Sequence, residues 1–274
     1  MLKHISSKIK QTWLHYRYQQ VVQRSRFQRE LEELPPGLFE HWQECAPQEF
    51  HGIPTDAIFF IRAAEGLMMF FDFVRHSERA CGLPSKAADS VWHAWLSLPH
   101  AEQQGLHIEG FCRRHFNREI PHLEAEKMPV AISDALANTL VSARMRGGYQ
   151  LAGPYLPLLF TLDRRLKMPM GYAYRIKDYG VGLQDMDSKG RAIGKLSFPT
   201  TLDPFYLLSV GLINQSAFDA YRTEKNKHDA ATLSSSGSSC GSTSSCDAGS
   251  GGCSDGGGCG SSCGGGCGGG GCGS

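Results

Sequence analysis

The chain has 274 residues, its 28 lysines and arginines nearly balance 27 aspartates and glutamates, and 41% of its residues are hydrophobic. These values exclude a collagen, a coiled coil, an integral membrane protein and a strongly basic nucleic-acid-binding protein. The composition also divides the chain, because 17 of the 32 glycines and seven of the ten cysteines lie within residues 237–274. We therefore predict a basic amphipathic N-terminal helix over 1–34, a globular domain over 35–228 and a disordered tail rich in Gly, Ser and Cys over 229–274.

The N-terminal region has apolar residues at helical spacing, among them Ile5, Ile9 and Trp13. This pattern predicts one long helix over 3–33. Its N-terminal part is rich in lysine and arginine. We expect the helix to pack on the core with its basic face in solvent. The alternative is that this face contacts an anionic membrane surface. No signal peptide is recognisable, and we expect a reduced, cytoplasmic protein.

Apolar periodicity predicts further helices in the middle of the chain. The stretch 54–77 is apolar nearly all round, which is typical of the central helix of a core. Ser85 is a suitable N-cap for the helix that follows it. Helices are predicted over 86–98, 101–116 and 128–145.

The C-terminal part of the globular domain has a less regular pattern. The stretch 156–166 is expected to be partly helical, and two short helices are expected over 202–213 and 215–223. Four glycines interrupt 172–198, a pattern that suits a loop or a small hairpin. The predicted fold class is therefore an all-α helical domain with a small irregular C-terminal lobe and a disordered tail.

The segment that contains Asp89, Trp92 and His93 carries the clearest candidate chemistry. Asp89 and His93 are four residues apart, so they share one face of the predicted helix. A carboxylate at this spacing can orient the imidazole or join it as a metal ligand.

Further candidate residues follow on the next helix and beyond it. Cys112 lies within the predicted helix, where a buried and inert thiol is more common than a nucleophile. His122 and Glu124 follow Pro121, and an antiparallel return of the chain would bring them towards Asp89.

A resemblance to a known family rests on an ordered set of residues: Asp89, Trp92 and His93, then Phe111 and Cys112, then Phe116 and His122. In this order and spacing they resemble the Trp-His core of the glycine-rich domain-containing proteins of bacteria and plants. The segments 156–163 and 168–171 are similar to a later block of the bacterial members, and the tail resembles theirs in composition. Bacterial members often have a His-His pair where this chain has only His122. The resemblance implies no particular biochemical activity.

Four interpretations of the candidate site remain open. In the first, Trp92 is a core residue and Asp89 is only the hydrogen-bond partner of His93. In the second, His93 and His122 hold a divalent metal ion such as zinc together with Asp89 or Glu124. In the third, these groups form a metal-free acid–base site. In the fourth, Trp92, Trp95 and Phe111 line a pocket for a ligand or peptide.

The tail has seven cysteines, which are Cys240, Cys246, Cys253, Cys259, Cys263, Cys267 and Cys272. They lack the Cys-x-x-Cys pairs of zinc fingers. A flexible extension is the simplest interpretation, and the alternatives are chelation of Zn or Cu(I) or enzymatic modification of the Cys and Ser side chains.

The leading functional hypothesis is a non-enzymatic interaction or scaffold protein. Its helical domain would bind a protein partner or a small ligand, and its tail would recruit a soft metal or a second partner. No RNA-binding segment is present, so we expect no nucleic-acid partner. The alternatives are a hydrolase-like, metal-dependent enzyme that uses His93 and His122, and a tail that is itself a substrate for modification.

Overall fold

The computed structural model describes residues 16–99, 101, 105–120 and 128–235. The helices in this part of the chain are α1 (16–24), α2 (Gln28–Glu32), α3 (Leu38–Glu49), α4 (Ala57–Arg75), α5 (Lys86–Leu96), α6 (Ile108–Phe116), α7 (Met128–Arg146), α8 (Leu158–Leu166), α9 (Pro204–Ser209) and α10 (Gln215–Ser235), with a 3-10 turn at Thr200–Leu202. The strands are β1 (Tyr172–Lys177), β2 (Gly180–Met186) and β3 (Ala192–Ser197).

The predicted N-terminal helix is not continuous in its described part. The chain leaves the helical path at 25–27, where the Ser25 hydroxyl accepts a hydrogen bond from the Phe27 backbone N–H at 3.1 Å. A serine side chain competes in this way with the helical backbone bonds. Val22 and Leu31 are buried in the same core as the following helices, so α1 and α2 belong to the domain. Residues 1–15 lie outside the described residues.

Helix α4 is the centre of the larger core, as its composition predicted. The Asp56 carboxylate caps its first turn by accepting hydrogen bonds from the backbone N–H groups of Ile58 and Phe59, both at 3.0 Å, and such caps stabilise a helix by about 1 kcal/mol. Its side chains are buried over most of its length. Trp92 of α5 packs edge-on against Phe71 of α4, with 5.3 Å between the ring centroids.

The prediction of an all-α domain is wrong, because residues that were expected to form a loop or small hairpin make a three-stranded antiparallel sheet in the order β1-β2-β3. Asp178 and Tyr179 form the first turn with φ of 50° and 63°, the backbone geometry of a tight two-residue hairpin. The glycines have a packing role. A side chain at Gly182 would meet Leu196 of β3 at 2.5 Å, so the glycine provides room for Leu196 against the sheet.

The sheet packs against α8 in a second core that also includes parts of α7, α9 and α10. The rings of Phe160 and Tyr174 meet edge-on at 5.1 Å. Helix α10 continues to Ser235, so residues 229–235 are helical although they were expected to belong to the disordered tail. The rest of the tail, with its seven cysteines, lies outside the described residues. Within the part that the structure describes, no helix has the length and hydropathy needed to cross a membrane.

Candidate functional site

The start of α5 is held in place by a buried carboxylate of α8. The Asp163 side chain accepts hydrogen bonds from the Ser85 hydroxyl at 2.6 Å and from the backbone N–H groups of Lys86, Ala87 and Tyr172, each at 3.0 Å. Burial raises the pKa of Asp163, and these hydrogen bonds oppose the rise. Because all four neighbours donate, the ionised carboxylate fits this geometry. Asp163 therefore fixes α8, α5 and β1 relative to one another.

One turn further along α5, Asp89 and His93 do lie on the same face, as their spacing predicted. The Asp89 Oδ1 atom is 3.6 Å from Nε2 of His93. The other ring nitrogen, Nδ1, is 2.6 Å from Oε1 of Glu49, the last residue of α3. The imidazole of His93 is thus hydrogen-bonded to Glu49 of α3 on one side and lies within ion-pair distance of Asp89 of α5 on the other.

This arrangement bears on the metal hypothesis. In that hypothesis Glu49 would hold Nδ1 of His93, as carboxylates commonly do for metal-ligating histidines. A metal ion on Nε2 would lie beside Asp89, whose Oδ1 atom is 3.6 Å from that nitrogen. Among the described residues no three His, Cys, Asp or Glu side chains are grouped as a metal site. Asp89 and His93 each have at least one further interaction partner. His122 and Glu124 lie outside the described residues, so the zinc site that includes them stays a prediction.

Trp92 and Cys112 are core residues in the structure. The Trp92 side chain is buried, and the Cys112 thiol is fully buried. Burial, together with the charge of Glu109, raises the pKa of Cys112 to about 12. A thiol with this pKa is not ionised at neutral pH, so Cys112 is unsuited to nucleophilic chemistry.

A cleft of about 640 Å³ opens beside the Asp89 face of α5. This volume is typical of a ligand site. The end of α3, the segment before α5, one residue of α7 and the sheet supply its walls, and the lining residues are Glu49, Phe50, His51, Gly82, Leu83, Ser85, Lys86, Asp89, Leu136, Pro169, Met170, Tyr172, Tyr174 and Leu183. We refer to this set as the cleft. Its walls are mainly apolar and aromatic, with two carboxylates and a lysine among them.

The electrostatic environment of the cleft is set by carboxylates. Burial raises the pKa of the Tyr172 hydroxyl, and the negative charges of Asp163, Asp89 and Asp185 raise it further. The Lys86 ammonium lies over the Tyr172 ring, 4.9 Å from its centroid. The cleft therefore combines two carboxylates with an aromatic surface that already binds a cation.

Sequence reasoning missed three residues of this site: Glu49, Lys86 and Tyr172. Glu49 lies on a helix that was not predicted, although Trp42 and Ala46 on that helix are spaced as a buried stripe. This periodicity could have revealed α3. The pairing of Glu49 with His93 joins residues 44 positions apart, and no local pattern indicates it.

A family model described as UCP032817-like matches residues 34–193, more than half of the chain. The chain belongs to this family. The matched region includes every residue that lines the cleft, together with Asp163 and His93. No curated protein and no solved structure matches the chain.

Proposed function

We propose that this protein is a non-enzymatic interaction protein and that its cleft binds a segment of a protein partner. The observation that carries the proposal is the cleft itself, a concave site of about 640 Å³ whose walls come from three helices, the loops beside them and the sheet. Apolar and aromatic walls with a few polar groups are typical of sites that bind side chains of a ligand or peptide.

The chemistry of the described side chains favours binding over catalysis. Both ring nitrogens of His93 face carboxylates, which suits a structural or electrostatic role. An acid–base catalyst needs a ring nitrogen directed at the substrate. Cys112 is buried and un-ionised at neutral pH. Within the described part of the chain, these facts support a site that recognises a partner by shape and charge.

The cysteines bear on the compartment in which the protein would act and on the role of its tail. Cys45, Cys81 and Cys112 are free thiols, which is in keeping with a reducing compartment such as the cytoplasm. The tail would then present its thiols to Zn or Cu(I), or to a second partner. Modification of the tail and the resemblance to the glycine-rich domain-containing proteins stay predictions.

A peptide-display selection on the immobilised full-length chain tests the proposal. The matched variants are Met170→Arg, at the cleft, and Met145→Arg, on α7 outside the cleft; the two methionines are similarly exposed, at 57% and 61%. We expect a family of peptides that binds the wild type and Met145→Arg equally and binds Met170→Arg at least about tenfold more weakly, a loss of about 1.4 kcal/mol. No enrichment, or peptides that bind both variants equally, would contradict the proposal.

A further inference from the structure

We propose that the cleft recognises a lysine or arginine side chain of its partner, and that the Lys86 ammonium is an internal cation which the partner's cation displaces. This inference rests on the proposed binding function and names the chemical class of the ligand. It is argued from the aromatic wall, the carboxylates and the apolar surface beside them.

The first observation is the contact between Lys86 and Tyr172. An ammonium within about 6 Å of an aromatic ring centroid is attracted by the negative face of the ring, and the Lys86 Nζ atom is 4.9 Å from the centroid of Tyr172. The Lys86 backbone N–H is bound to Asp163 at 3.0 Å, so the backbone stays in place whatever the side chain does. Its long, flexible stem allows the ammonium to move off the ring without any change in α5.

The second observation is the pair of carboxylates on the same cleft. Glu49 and Asp89 come from different helices, and their side chains are 49% and 33% exposed. Each contacts His93, yet a carboxylate has two oxygens and can accept about four hydrogen bonds. Both carboxylates line the same cleft as Tyr172, so they attract a cationic group that enters the cleft and repel an anionic one.

The third observation explains why the ligand is a side chain with an apolar stem. Leu83, Met170 and Leu183 line the cleft together with the charged groups. Lysine and arginine carry three or four methylene groups below their charge, and these pack readily against such apolar surface. A simple inorganic cation would gain nothing from these residues.

Titrations of the ¹⁵N-labelled full-length chain with blocked tripeptides test the inference. The probes are Ac-Ala-Lys-Ala-NH₂, its arginine counterpart, the neutral norleucine counterpart and the glutamate counterpart. We expect the lysine and arginine peptides to shift amide signals of cleft residues and to bind about fivefold or more tightly than the norleucine peptide. The two partly exposed carboxylates supply this preference, because the cation–π contact that the ligand gains is offset by the one that Lys86 loses.

The outcomes separate this inference from the proposed function. If the norleucine peptide binds the cleft as tightly as the lysine peptide, the binding function stands and the preference for a cation is wrong. If the glutamate peptide binds most tightly, Lys86 is itself the recognition group and the inference is overturned. If no peptide shifts the cleft signals, both the inference and the proposed function fail.

Variants test the displacement directly. Lys86→Met removes the internal cation, so we expect it to tighten binding of the lysine peptide about threefold or more. Asp89→Asn and, independently, Glu49→Gln should weaken that binding about threefold or more. The matched control is Glu44→Gln, an exposed carboxylate on α3 outside the cleft, which should leave binding unchanged. If Lys86→Met weakens binding in a protein with wild-type melting behaviour, the displacement is refuted.

Discussion

Replacement of Asp163 by asparagine tests how the cleft is held together. The carboxylate is 1% exposed. Its Oδ1 atom accepts from the Ser85 hydroxyl and the Ala87 N–H, and its Oδ2 atom accepts from the Lys86 and Tyr172 N–H groups. Asparagine keeps the shape but turns one acceptor into an NH₂ group. If the NH₂ group replaces Oδ2, two buried backbone N–H groups face another donor. If it replaces Oδ1, the Ala87 N–H faces a donor and the Ser85 hydroxyl must turn to accept.

The expected magnitude follows from that count. A hydrogen bond to a charged group contributes about 1.5–3 kcal/mol, and a neutral one about 1 kcal/mol. The loss of at least one charged bond, with the others reduced to neutral bonds, should lower the free energy of unfolding by about 3–6 kcal/mol. This is a large part of the roughly 5–15 kcal/mol that stabilises a typical domain. The loss should be accompanied by weaker binding at the cleft, because Asp163 connects α5 to β1.

Urea unfolding of the full-length chain, followed by tryptophan fluorescence, measures this effect. Two of the four tryptophans, Trp92 and Trp95, lie on α5, so part of the signal reports on the helix that Asp163 anchors. We expect Asp163→Asn to lower the unfolding midpoint by at least about 1 M urea. The control Asp219→Asn changes an exposed carboxylate on α10 and should cost less than about 0.5 kcal/mol. A loss of less than about 1 kcal/mol for Asp163→Asn would refute the reasoning, since it falls below the value of a single charged hydrogen bond.

Three further predictions concern other buried groups. Arg144 is buried and donates hydrogen bonds to two backbone carbonyls at 2.8 and 2.9 Å. Arg144→Met should therefore lower the free energy of unfolding, measured in urea, by about 2–4 kcal/mol. An unchanged free energy of unfolding would contradict this prediction. The pKa of Cys112 is raised to about 12, so the thiolate forms in the folded chain only in strong alkali. Iodoacetamide at pH 8 should therefore modify half-buried Cys45 well before Cys112, and peptide mass spectrometry measures both rates. Equal rates of modification at the two cysteines in the native protein would contradict the burial of Cys112. Gly190 has φ of +67°, and a Cβ there would lie 2.1 Å from the Lys167 carbonyl oxygen. Gly190→Ala should therefore lower the free energy of unfolding by about 2 kcal/mol or more. An unchanged midpoint of urea unfolding would contradict this prediction.

The central helices could be predicted because their signals are local. Ser85 does cap α5 by accepting a hydrogen bond from the Ala88 backbone N–H, and the apolar stretch around Phe71 does form the buried helix α4. Capping and periodicity act over a few residues, so the sequence displays them directly. The shared face of Asp89 and His93 follows from the same helical geometry.

The sheet and the cleft could not be predicted, because their determinants are distant in sequence. Gly182 resembles a loop residue until Leu196 of a neighbouring strand is seen to occupy the space beside it. Likewise, the Glu49–His93 pair and the Asp163 anchor join residues far apart in the chain. Strand pairing and long-range polar contacts of this kind depend on tertiary packing rather than on local propensity.

The most direct test of the central claim, that the cleft binds a protein partner, is site-specific photo-crosslinking of the full-length chain in the cells that express it. Benzoylphenylalanine in place of Met170 reports on the cleft, and the same residue in place of Met145 reports on an equally exposed surface outside it. The account predicts a discrete crosslinked species at position 170, weakened by Asp89→Asn and without a counterpart at position 145. The same species at both positions, or none at position 170, would contradict it.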